Sequence, residues 1–270
     1  PHLSGMNYFI TGTDTNAGKT YATCLMLEEL RRQGIDAVGY KPVSCGDRDD
    51  AARLAAASGG IPVEEINPIH LKTAVAPLVA GMLENHPVDP QTLIDGYHRL
   101  AAKHTQVLVE GAGGWEVPIA PNFRVSDLAK ALNIPVILVV GNRLGALNHT
   151  LLSVDAIRAK GLQCAGIILN QLDDELDTAM ITNKGLIEEL TVQQNLNGAR
   201  LAQWGWPKAL LNLLLPMESE ACAQALRAHF SRHSCDLDGR CSLRRRILDR
   251  SAQAESLPRD AFGACCDNAR

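Results

Sequence analysis

No stretch of the sequence reaches the roughly 18 consecutive apolar residues of a membrane-spanning helix, and the first residues show no basic segment followed by an apolar one. Both absences argue against export or membrane insertion, and the expected setting is the cytoplasm. Charge of one sign is equally scarce. Thirty acidic and 26 basic residues leave a net charge of -4 without a long run of either, which excludes a nucleic-acid footprint or a membrane-facing patch. The expected partners are small molecules or protein. Paired cysteine spacings are missing too. Cys24, Cys45 and Cys164 stand alone, and the other five fall in the last 49 residues, so reduced thiols are expected. His229, His233, Cys235, Cys241, Cys265 and Cys266 could each ligate zinc, but not at the spacing of a zinc module. There is no internal repeat. What the chain has is length and apolar content, 270 residues and 46%, enough for a substantial core.

Pro1 to Gly5 fit no element and read as a remnant ahead of a natural start at Met6. From Asn7 onward, short apolar runs alternate with longer segments whose apolar residues recur three or four apart. The runs predict strands at Tyr8 to Thr11, Ala37 to Tyr40, Val107 to Glu110, Val136 to Val140 and Gly166 to Asn170. Helices are predicted at Gly18 to Gln33, Asp50 to Ser58, Ala76 to Leu83, Asp89 to Lys103, Ser126 to Leu132, Leu147 to Lys160 and Asp177 to Glu189. Several strands are apolar on both faces, as in a mostly parallel sheet with helices on either side. The expected fold is therefore a three-layer α/β domain over residues 6–216. The pattern weakens after Thr191, and beyond Lys208 all basic residues are arginine. Ala221 to Phe230 retains a helical pattern, but residues 217–270 are expected to be a divergent, partly disordered tail.

The first strand runs into Gly12-Thr13-Asp14-Thr15-Asn16-Ala17-Gly18-Lys19-Thr20. A strand, a glycine-bearing turn and a helix that opens Gly-Lys-Thr bring backbone N–H groups and a helix N-terminus onto one anion. A phosphate suits that cradle. Five residues separate the glycines, one more than in the usual phosphate loop. The expected ligand is magnesium ATP, with Asp14 to Thr20 around the phosphates, Lys19 against the β and γ groups and the Thr20 hydroxyl on the metal. Asp50 and Glu110 are the further candidate metal ligands. Glu110 ends an apolar strand ahead of Gly111-Ala112-Gly113-Gly114, and both acids lie where the carboxyl edge of a parallel sheet delivers ligand groups. Each also has a structural reading, Glu110 as a capping carboxylate and Asp50 as a helix N-cap. Lys41 follows the second strand in Gly39-Tyr40-Lys41-Pro42-Val43 and reaches the same edge, with a surface lysine as its alternative.

Taken together, G-T-D-T-N-A-G-K-T at 12–20, G-Y-K-P-V at 39–43, V-E-G-A-G-G at 109–114, V-V-G-N-R-L-G-A-L-N-H at 139–149 and I-L-N at 168–170 resemble the dethiobiotin synthetase family. The likeness spans Met6 to about Leu190. It implies a P-loop NTPase-like fold and an ATP- and Mg2+-dependent reaction of 7,8-diaminononanoate with CO2. It also implies Lys41 and Thr15 on a carbamate, Asn170 on the adenine edge, and Cys45, Gly111 and Ala112 beside the substrate. In the homodimer it implies, Leu144, Gly145 and Asn148 of a second copy hold the substrate carboxylate.

Two features depart from that family. Cys45 stands where a hydroxyl is usual, and the thiol is a weaker donor. Ala209 to Pro216 supplies an apolar run and a proline but lacks the glycine of the family's nucleotide-holding turn. Other readings are a ParA- or MinD-type nucleotide switch, a corrinoid amidase-type synthetase and a catalytically impaired nucleotide-binding homologue. The switch proteins carry a second lysine near the loop start where this chain has Thr13, and the amidases need a glutaminase domain for which the tail offers no recognisable nucleophile.

Overall fold

The computed structural model describes residues 5–171, 177–193, 199–206 and 209–216. The chain runs through β1 (Tyr8–Gly12), α1 (Lys19–Arg32), β2 (Ala37–Tyr40), β3 (Val43–Cys45), α2 (Asp49–Ala57), α3 (Val63–Ile66), β4 (Ile69–Leu71), α4 (Pro77–Leu83) and α5 (Pro90–Lys103). It continues through β5 (Gln106–Gly114), β6 (Pro118–Ala120), β7 (Phe123–Arg124), α6 (Val125–Leu132), β8 (Val136–Asn142), α7 (Ala146–Ala159), β9 (Cys164–Gln171), α8 (Thr178–Gln193), β10 (Ala199–Trp206) and β11 (Ala209–Pro216).

Seven strands share one sheet in the order β10-β11-β9-β8-β1-β5-β2. From β9 to β2 every neighbouring pair is parallel, and β11 and β10 add an antiparallel hairpin beyond β9. Every residue of β1, β2, β8 and β9 is buried. Successive strand side chains point to opposite faces, so both faces of this sheet are covered. That is why the runs are apolar without alternation. α1 and α2 pack on each other and on β2, α5 and α6 on each other and on β5, and α7 on β8 and β9. The result is the P-loop NTPase-like α/β arrangement.

Asp89 caps α5 as expected, accepting from the backbone N–H of Gln91 and Thr92, with Pro90 at the first helical position. The third predicted strand differs from the sequence reading. It does not stop at Glu110 but runs on through the glycines to Gly114, which pairs with Gly12 across a register shift in β1. The small residues let the two backbones stay close past the carboxylate. The short elements α3, β3, β4, β6 and β7 carry too few residues for a periodic signal. Cys24, Cys45 and Cys164 are free thiols. The five later cysteines, residues 1–4 of the remnant assigned to Pro1–Gly5 and the tail assigned to 217–270 lie outside the described residues. Among the described residues no helix is long and apolar enough to cross a membrane.

Candidate active site

β1 ends at the phosphate loop, whose Thr13 N–H donates to Val139 O at 3.0 Å and ties the loop to β8. Asn16 and Gly18 both adopt positive φ, 63° and 91°. Alternating left-handed residues turn successive N–H groups inward to make an anion-binding concavity. α1 begins at Lys19 without a side-chain cap, so its first N–H groups face the same concavity. Gly18 is required for a second reason. A Cβ there would lie 2.0 Å from Asn170 Nδ2, because the end of β9 is laid directly over the loop.

Lys19 and Thr20 are buried at the start of α1. Lys19 Nζ donates to Asp14 O at 3.0 Å across the loop. The Thr20 hydroxyl donates to Glu110 Oε1 at 2.7 Å, and Lys41 Nζ donates to the same oxygen at 2.6 Å and to Asp50 Oδ2 at 3.0 Å. The four residues that the sequence placed at the carboxyl edge from three separate strands thus meet in one cluster. Glu110 is 0% exposed and Lys41 4%, which rules out a surface lysine. Asp50 is not the N-cap of α2 either; Arg48 holds that position. Burial pulls the Lys41 ammonium down, but Glu110 and Asp50 outweigh it and hold it above its ordinary value. Burial likewise raises Asp50, and Lys41 reverses the shift and keeps its carboxyl low. Both therefore stay charged at neutral pH.

Glu110 Oε2 is buried and has no hydrogen-bond partner. A fully desolvated carboxylate oxygen without a donor is costly. Beside the Thr20 hydroxyl and the half-exposed Asp50, it fits a hard divalent cation that takes only a few protein oxygens and fills its other positions with phosphate and water.

Next to the cluster lies a cavity of about 390 Å³ lined by Thr15, Lys41, Ser44 and Cys45, with Val43, Val75, Pro77 and Val117 as apolar walls. Ala112 and Gly113 are on its wall. Gly111 is not, since a Cβ there would meet Val125 and Phe9. Burial pushes the Cys45 thiol up to about 11, so it meets the cavity as a neutral thiol. Asn170 sits at the opposite end of the loop. Its Nδ2 donates to Ala17 O at 3.1 Å, and its Oδ1 is buried with no partner, which leaves one acceptor for a base edge. Leu144, Gly145 and Asn148, at the start of α7, are exposed and do not line this cavity.

A family model described as an AAA domain matches residues 6–197. The ATP-dependent dethiobiotin synthetase BioD of Akkermansia muciniphila is 49% identical over 186 residues, covering 68% of this chain and 87% of that protein. The protein of the same name from Anaeromyxobacter sp. (strain Fw109-5) is 43% identical over 199 residues, covering 72% and 88%. The chain belongs to the dethiobiotin synthetase family. Among solved structures, the Cell division protein ftsY from Thermotoga maritima aligns over 84% of this chain and 69% of its own, at 14% identity and a TM-score of 0.49.

For a dethiobiotin synthetase family member, two parts of this site were not visible in sequence. The segment from Ala74 to Pro77 closes one side of the cavity, held in place where Thr73 N–H donates to Glu84 at 2.7 Å. Below the nucleotide end, Asn142 donates to Gln171 and to Met180 O, and Asn183 donates to Asn142 Oδ1 and Arg143 O. This buried amide network joins α8 to the ends of β8 and β9, and so to Asn170 and to Arg143, which pairs with Asp14 at 3.0 Å. The available signal was a polar residue ending each of two fully apolar strands.

Gly18→Ala is expected to lower stability by roughly 2–4 kcal/mol, from a left-handed backbone and a collision with Asn170. Urea midpoints of the two proteins measure it, and an unchanged midpoint would mean that β9 does not bear on the loop.

Desolvation holds the Lys19 ammonium down to about 8 against its ordinary 10.5; Glu110 opposes the shift and Lys41 adds to it. Between those two values the unfolded chain keeps the proton and the folded chain has released it. Burial of the charged lysine therefore costs stability below about pH 8, and the cost, about 3 kcal/mol at most, is relieved as pH rises toward 10.5. A bound triphosphate favours the ammonium. Nucleotide binding near pH 9 is thus expected to take up close to one proton and to weaken with rising pH. Calorimetry in two buffers of different ionisation enthalpy reads this directly, and buffer-independent heats would contradict it.

Proposed function

We propose that the chain carboxylates 7,8-diaminononanoate with CO2 and closes the ureido ring of dethiobiotin at the expense of ATP. The observation that carries this reading is the adjacency of two spaces. A phosphate loop and an apolar-walled cavity share one rim, where Thr15 of the loop and Lys41 both line the cavity and Lys41 reaches Glu110.

A substrate amine adds to CO2 and loses a proton, giving a carbamate whose negative charge sits against the Lys41 ammonium and the Thr15 hydroxyl. A carbamate oxygen attacks the γ-phosphorus of ATP and ADP departs, leaving a carbamic-phosphoric anhydride. The second amine attacks the carbonyl carbon, loses a proton and expels phosphate as the ring closes. Lys19 neutralises charge on the transferred group, and the loop N–H groups hold the remaining phosphates in line. Magnesium held by Thr20, Asp50 and Glu110 would supply charge neutralisation at the phosphoryl oxygens. Val43, Val75, Pro77 and Val117 line the alkyl chain, and they exclude water that would otherwise hydrolyse the anhydride.

The reading places Asn170 Oδ1 on the adenine amino group. It also makes the chain a cytoplasmic homodimer in which the exposed Leu144, Gly145 and Asn148 of a second copy present helix-start N–H groups to the substrate carboxylate. The names of the relatives support the reaction, and the orphaned Glu110 oxygen supports the metal. Phosphate release from ATP by the purified protein should require both the diamine and bicarbonate. Release that ignores either, or none at all, would leave a nucleotide-binding homologue instead of a synthetase.

A further inference from the structure

The sequence reading passed over Asn67, yet it is 0% exposed and uses every hydrogen-bonding position of its side chain. It follows α3 and precedes Pro68, a residue pair that favours extended backbone and ends the helix there. Its Nδ2 donates to Lys41 O at 2.8 Å and to Ile69 O at 3.1 Å. Its Oδ1 accepts from the Ser44 hydroxyl at 2.9 Å and from Arg48 Nε at 2.8 Å. Carbonyls cannot donate and arginine cannot accept, so the amide has only one orientation in this site.

Apart from Ile69, the partners carry or adjoin a piece of the active site. Lys41 leaves β2, which among the described residues is an edge strand with no strand beside it on that side. Its own N–H donates to Ile66 O at 2.8 Å, so Ile66 and Asn67 together grip both polar groups of the Lys41 backbone as a neighbouring strand would. Ser44 lies in β3, beside Cys45 on the cavity wall. Arg48 leads into α2 two residues before Asp50, and its Nη2 donates to Asn67 O at 2.7 Å.

We propose that Asn67 is the positioning residue of this site, a single buried amide that sets Lys41, Asp50 and the β3 wall relative to one another. The inference rests on Lys41 meeting the carbamate, as read above. A side chain serving stability alone would have no reason to spend three of its four bonds on Lys41, Ser44 and Arg48, which lie in or next to the cavity wall, while touching nothing that forms the phosphate loop.

Asn67→Asp keeps the shape and the two acceptor bonds but turns two donors into acceptors that face Lys41 O and Ile69 O. The test compares it with wild type in diamine- and bicarbonate-dependent turnover, with KM measured for diamine and for ATP, and with titration of a non-hydrolysable ATP analogue. Wild-type turnover checks the functional reading itself, and its absence would sink that reading rather than this one. Given turnover, kcat/KM for the diamine is expected to fall about tenfold to a hundredfold, while analogue affinity and stoichiometry stay within about twofold. Unchanged diamine kinetics, or a fall in analogue stoichiometry that matches the fall in kcat, would overturn the proposal. Should the variant fail to bind the analogue at all, Arg48→Lys, which loosens the same hub while keeping its charge, is judged by the same two criteria.

Discussion

Lys41→Met is expected to lower diamine- and bicarbonate-dependent phosphate release by roughly a hundredfold to a thousandfold, because the proposed carbamate loses the buried ammonium that lines the cavity. The substitution has a second effect that separates it from loss of any surface lysine. Glu110 is 0% exposed, and without the ammonium its carboxylate is left buried with the Thr20 hydroxyl as its donor. Breaking one side of a buried ion pair costs roughly 3–5 kcal/mol, which a urea midpoint resolves. The phosphate loop is held by β1, β8 and Asn170 and not by Lys41, so binding of an ATP analogue should persist wherever the protein is folded. Turnover near wild type in this variant would remove Lys41 from the chemistry, whatever happened to stability.

The phosphate end of this site was legible in sequence because its signals are local. A strand, six connecting residues and a helix occur consecutively, and glycine at a left-handed position is a requirement of the backbone there. Glu110 was found because an acid ending an apolar run falls at the carboxyl edge of any parallel sheet. The substrate end was less visible. Ala74 to Pro77 and Val117 come from segments without periodicity, and they share a wall only because α4 packs against both β3 and β6. Asn67 sends its bonds to residues 26, 23 and 19 positions away as well as to its neighbour Ile69, and nothing in a lone Asn-Pro announces that. The antiparallel hairpin of β10 and β11 was missed for a different reason. Ala209 to Pro216 was recognised as an apolar run, but a strand's direction is set by what it pairs with, here β9, and not by its own composition.

Glu110→Gln tests the same ion pair from the other side, and the two variants should part in stability while agreeing in activity. The amide keeps the shape and can still accept from Thr20 or Lys41, while Lys41 retains Asp50 at 3.0 Å as its counter-ion. No buried charge is stranded, so the urea midpoint should stay much closer to wild type than that of Lys41→Met. Turnover should nevertheless fall by roughly a hundredfold or more, since a neutral amide oxygen is a far poorer partner for a divalent cation than the orphaned carboxylate oxygen it replaces. The fall should be accompanied by a higher Mg2+ concentration for half-maximal activity. Asp50→Asn should shift that concentration less, because Asp50 is half-exposed and its charge is already screened by solvent. A Mg2+ titration of the three proteins orders them. Were Glu110→Gln to titrate like wild type, the carboxylate would belong to Lys41 alone, and the metal would have to be held elsewhere.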